Sequence, residues 1–67
     1  MQIYVNDETK DIPPGSSLHF LLNDIGMVDF SGWAIALNEE VIPHGDINGK
    51  TLVEGDRLIL VQATQGG

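Results

Sequence analysis

The residues of this chain with the most direct chemical use are its last two, Gly66 and Gly67. They follow a strongly strand-like segment, Arg57 to Gln62, after only Ala63-Thr64-Gln65. A carboxylate on such a stalk is expected to project several ångströms beyond a compact domain, and no side chain on the final pair would block entry into another protein's narrow active site. A free α-carboxylate has a pKa of about 3.5, so at neutral pH it is ionised and a poor electrophile. Adenylation by ATP turns one of its oxygens into a leaving group. A sulfur donor can then attack the acyl-adenylate and leave a thiocarboxylate at Gly67, or an amine can attack and leave an amide. Glycine tails without a role also occur at chain ends. Three readings therefore stand: a sulfur carrier, a covalent protein modifier, and a noncovalent binding module whose glycines are incidental.

Other candidate groups have plainer explanations. His19 falls beside the apolar stripe of a helical segment, and His44 sits between Pro43 and Gly45 with Asp46 close in sequence. Neither has the spacing of a zinc site and the chain has no cysteine, so solvated or capping histidines and no metal are the expectation. Glu39, Glu40 and Asp46 are expected on solvated loops, with no nucleophile in the pattern for them to activate. Gly15 and Gly55 lack the lysine and hydroxyl of a phosphate loop and fit turns. Phe20, Phe30 and Trp33 could fill a core or form a docking patch. Phe20 lies off the main helical stripe and is the aromatic expected at a partner surface.

Positioning these groups falls to one small domain of 67 residues. A chain this short buries only about 60% of its unfolded surface, which leaves little volume for an internal catalytic cavity and argues against a self-contained enzyme. Three basic residues against ten acidic ones, a net charge of −7, give no phosphate-neutralising surface for nucleic acid. The same charge favours solubility and can steer the domain toward a basic groove at low salt. No apolar run approaches the roughly 20 residues of a membrane span, and a soluble cytoplasmic monomer is the expectation. Without disulfides, stability must come from packing.

Met1, Ile3 and Val5 alternate with polar neighbours as a strand does. Asn6 to Thr9 then predicts a turn, with Lys10-Asp11-Ile12 returning antiparallel before Pro13-Pro14 ends the ladder. After the capping hydroxyls of Ser16 and Ser17, Leu18, Leu21, Leu22 and Ile25 form one apolar stripe of a helix ending near Gly26. Trp33 to Leu37 reads as a fully buried central strand and Val41-Ile42 as a short edge strand broken by Pro43, while residues 45–54 look irregular. Glu54-Gly55-Asp56 turns into a last strand, Arg57 to Gln62. The order implies an α+β domain over residues 1–62, a ubiquitin-like β-grasp. Its mixed sheet has four to five strands, first and last adjacent and parallel, with one main helix packed on one face; residues 63–67 form a flexible Gly-Gly tail.

Four local patterns, in this order and spacing, cover essentially the whole chain: Met1-Gln2-Ile3 to Asn6, Ala36-Leu37-Asn38-Glu39-Glu40-Val41-Ile42-Pro43, the Glu54-Gly55-Asp56-Arg57 turn, and Val61 to Gly67. In them the sequence resembles the ThiS sulfur carriers of thiamin biosynthesis, within the ThiS/MoaD group of β-grasp proteins. That resemblance implies that Gly67 is adenylated by a ThiF-like enzyme and converted to a thiocarboxylate. It also implies that a sulfur donor protein supplies the sulfur and that thiazole synthase, a ThiG-like partner, receives it. Gly66, with Gln65 and Thr64 behind it, would thread into the partner active site, and the carrier would bind no cofactor, ATP and magnesium residing on the activating enzyme. His44 is a departure, standing where many relatives carry a basic residue. The molybdopterin-synthase small subunit is similar in fold and tail but is usually longer between helix and central strand, so length favours the thiamin branch.

Overall fold

The computed structural model describes residues 1–27 and 29–62. In chain order the elements are β1 (Gln2–Val5), β2 (Glu8–Asp11), α1 (Leu18–Asp24), β3 (Trp33–Leu37), β4 (Glu40–Val41), a 3-10 helix (His44–Gly49) and β5 (Arg57–Gln62). They form a five-stranded mixed sheet in the order β2-β1-β5-β3-β4. β5 lies parallel to β1 and antiparallel to β3, so the last strand is the centre of the sheet. With α1 on one face, this is the β-grasp arrangement that the element order implies.

Two tight turns set the registers. Asn6 and Asp7 take φ of 50° and 70°, and Asn38 and Glu39 take 51° and 70°. Both pairs thus form the left-handed two-residue turn whose twist matches that of a hairpin, and asparagine enters that region at less cost than most side chains. The first turn is tighter than the sequence pattern suggests. Glu8 and Thr9 already pair with Val5 and Tyr4 rather than extending the loop. On the far edge β4 begins at Glu40, and Ile42 is buried just past its end.

Ser17 caps α1, its hydroxyl accepting from the Phe20 amide at 3.0 Å. At the other end Gly26, at φ 87°, lets its own amide reach the Asn23 carbonyl and the Met27 amide reach that of Leu22, the paired bonds that close a helix on a left-handed residue. That closure leaves Ile25 beyond the last helical turn and 37% exposed, so the buried stripe is Leu18, Leu21 and Leu22 without it. These leucines pack against Ile3, Ile35, Leu37, Leu58 and Leu60 from the sheet.

Two segments differ from their sequence pattern. β3 is buried on one face only: Ile35 and Leu37 point into the core, Ala34 is exposed, and Trp33 packs half-buried at the margin with Phe30. Alanines suit either face because so little apolar area is at stake. Residues 45–54 are ordered rather than irregular. The 3-10 helix buries Ile47, Leu52 is buried behind it, and Leu18 and Leu52 donate amides to the Lys50 and Ser16 carbonyls at 2.9 Å each, tying the start of α1 to this segment. No helix among the described residues is long and apolar enough to cross a membrane.

One buried charged residue frames the entry to β5. Asp56 is 7% exposed; its Oδ2 accepts from the Val53 amide at 2.8 Å and its Oδ1 from Asn38 Nδ2 at 3.0 Å. Asp56→Ala would strand both donors, and a cost of about 1–3 kcal/mol in unfolding free energy is expected by urea denaturation. A loss well under that range would show that Asp56 does not hold the turn.

Candidate functional site

The tail singled out by the sequence, residues 63–67 with Thr64, Gln65, Gly66 and Gly67, lies outside the described residues. Its root is described. β5 runs to Gln62, and β3 accompanies it to the end, pairing Ala34 with Val61 and Trp33 with Gln62. β1 does not: its ladder with β5 stops at Val5 opposite Leu58.

Beyond that point the Asn6 side chain takes over from the strand. Its Oδ1 accepts from the Leu60 amide at 2.8 Å and its Nδ2 donates to the Leu60 carbonyl at 3.3 Å, while its backbone amide donates to the Leu58 carbonyl at 2.9 Å. On the other side of β5 the Trp33 carbonyl meets His44 Nε2 at 2.9 Å, and the His44 ring stands edge-on to Phe30 with centroids 5.1 Å apart. A carbonyl only accepts, so Nε2 must carry the hydrogen. His44 is therefore a brace for the start of β3, more specific than a merely solvated residue.

The face of the sheet turned away from α1 carries an exposed apolar row that the sequence pattern did not single out. Val41, Ala36 and Ile59 are register partners across three strands, and Val61 and Tyr4 flank them. Val41 is 68% exposed and Val61 55%. Their signal was the uninterrupted run Leu58-Ile59-Leu60-Val61: a strand apolar on both faces, in a domain with one helix, must leave one face uncovered. Phe20 is 45% exposed on α1, as its place off the stripe implies, and sits on the opposite layer from this row.

The remaining candidates are not gathered into a catalytic group. His19, Glu39, Glu40 and Asp46 are exposed. Among the described residues no three His, Asp or Glu side chains are placed to hold a metal. Two shallow depressions open to solvent, one of about 320 Å³ lined by Tyr4, Asp7 and Arg57, the other of about 160 Å³ beside Asn38, Glu39 and Ile59. Asp29, fully exposed, has its carboxyl held below the usual carboxylate range by the hydroxyl and backbone amide of Ser31. That arrangement closes a turn between Asp29 and Ser31.

A profile described as the ThiS family matches residues 2–67. The sulfur carrier protein ThiS of Escherichia coli K12 is 30% identical over 67 residues, covering all of both chains. Among solved structures, the crystal structure of a thiamine biosynthesis protein (ThiS) from Geobacter metallireducens superposes with a TM-score of 0.87 at 20% identity, again over both full chains. A solution structure of a thiamine biosynthesis protein from the same organism gives 0.77 at 23% identity, covering all of this chain and 88% of that one. At these identities the two structures speak for the fold.

The placement of Phe20 has a direct consequence for stability. Phe20→Ala is expected to cost about 1 kcal/mol or less, against about 2–5 kcal/mol for the fully buried Leu21→Ala, when both are compared by chemical denaturation. Equal losses would place Phe20 in the core and remove it as a candidate contact.

Proposed function

The chain belongs to the ThiS family, and on that premise we propose that it carries sulfur on Gly67 for thiamin biosynthesis. The observation that carries this reading is the alignment with the Escherichia coli sulfur carrier along the full length of both chains, which takes in the Gly66-Gly67 end. In the first step a Gly67 carboxylate oxygen attacks the α-phosphorus of ATP and expels pyrophosphate. Hydrosulfide from the donor then attacks the acyl carbon, AMP leaves with the acyl-phosphate bond broken, and loss of the proton leaves a thiocarboxylate. That group afterwards gives its sulfur to thiazole formation.

The carrier's own residues supply delivery. β5, paired with β3 to Gln62 and held on its other edge by β1 and then Asn6 as far as Leu60, is the base for the tail, and Gly66, Gln65 and Thr64 form the part that threads into the partner site. The exposed row of Val41, Ile59 and Val61 offers an apolar surface next to that base for a partner to grip. In this reading the chain is a co-substrate and not a catalyst. A ThiF-like enzyme holds ATP and magnesium, a separate donor supplies the sulfur, a ThiG-like thiazole synthase accepts it, and the work is done in the cytoplasm because activation consumes ATP.

The test is tandem mass spectrometry after incubation with ATP, a sulfide source and a ThiF-like enzyme. The expected product has one oxygen replaced by sulfur, confined to the fragment containing Gly67. Localisation separates it from oxidation of Met1 or Met27. Deleting Gly67 should abolish the product while leaving the circular dichroism spectrum unchanged. An unmodified end with a demonstrably active enzyme would overturn the reading, and lysine-linked conjugates that survive reduction would point to a protein modifier instead.

A further inference from the structure

Asn6 does more than turn the first hairpin. In a parallel ladder one residue donates its amide to one partner carbonyl and accepts, through its own carbonyl, from an amide two residues further along. The Asn6 backbone makes the first of these bonds, to the Leu58 carbonyl. The second would come from the Leu60 amide to the Asn6 carbonyl, but at φ 50° the chain has already left the sheet. The side-chain amide stands in for the missing peptide group, accepting from the Leu60 amide and donating to the Leu60 carbonyl.

We propose that Asn6 is a positioning residue for transfer at Gly67: its side chain extends the β1 edge along β5 and holds the last residues of that strand in line with the partner's active site. This rests on the carrier reading. A counterpart at the opposite end of β5 makes the claim separable from general stability. Asn38, at φ 51° in the other tight turn, donates its backbone amide to the Arg57 carbonyl at 2.8 Å and accepts from the Arg57 amide through Oδ1 at 3.0 Å. The chain thus clasps β5 twice with the same chemistry, once where the strand enters the sheet and once near where it leaves. Only the second clasp lies on the path to the tail.

Glycine at either position keeps the left-handed turn and the backbone amide bond to β5 and removes the side-chain bonds. With Asn6→Gly the fraction of molecules with a correctly held strand end falls, so KM for the carrier in the ThiF-like adenylation reaction should rise about three- to tenfold with kcat unchanged. Hydrogen exchange at the Leu60 amide should accelerate. Asn38→Gly, assayed at a temperature where both variants are folded, should leave KM within about twofold of the parent. A purely structural Asn6 gives a different pattern, in which KM is unmoved in Asn6→Gly or rises in both variants in step with lost stability; either result overturns the inference. Should Asn6→Gly not fold, Asn6→Asp keeps the acceptor and loses the donor, and a smaller KM rise at constant kcat is expected, an unchanged KM being the contrary result. A parent chain that is not adenylated at all overturns the carrier reading, and this inference with it.

Discussion

Everything in this domain is arranged around the two edges of β5. A strand bonded to neighbours on both sides has its backbone amides and carbonyls satisfied without water, so it can run through the middle of a small domain. Its inward residues, Leu58 and Leu60, then meet the leucines of α1. β1 and β3 must flank it, the first parallel and the second antiparallel, which fixes where the hairpins lie and leaves the helix as the cover for one face. The arrangement also sets the direction in which the chain leaves the sheet. The strand that closes the core is also the last described element before Gly66 and Gly67, the residues to which the proposed function assigns the chemistry.

Polar side chains finish what the backbone ladder cannot. Asn6 and Asn38 reach β5 from turns in which their own backbones have left the sheet, and Asp56 gathers the Val53 amide and the Asn38 side chain at the entry to the strand. A buried carboxylate is tolerated there because donors meet both of its oxygens. On the other flank His44 bridges from the 3-10 helix to the Trp33 carbonyl and packs on Phe30. These contacts occupy the ends of β3 and β5, where a short strand would otherwise fray.

Much of the fold is legible in the sequence because its signals are local. The stripe Leu18, Leu21, Leu22 marks the helix, Ser17 its start and Gly26 its end, and the alternation around Ile3 and the run from Leu58 mark the two parallel strands. What escapes is long-range or low in contrast. The 3-10 helix places only Ile47 in the core, too few apolar residues to set a period. β3 looks buried throughout since Ala34 and Ala36 are apolar yet cost little when exposed. Ile25 fits the stripe by spacing and loses its place because the helix closes on Gly26. The role of Asn6 is invisible without the fold: its partner Leu60 is 54 positions away, and the sequence offers only the turn preference of asparagine.

For function the balance is reversed. The Gly66-Gly67 end is legible in the sequence itself, and in the proposed reading the part of the fold is to hold the root of that end, β5, between β1 and β3. The most direct test is ATP–pyrophosphate exchange by a ThiF-like enzyme, comparing this chain with a version whose Gly67 ends in a carboxamide. The two share every contact described here and differ only at the reacting group. Exchange with the carboxylate and none with the carboxamide is the expected result; equal exchange with both, or none with either, would contradict the account.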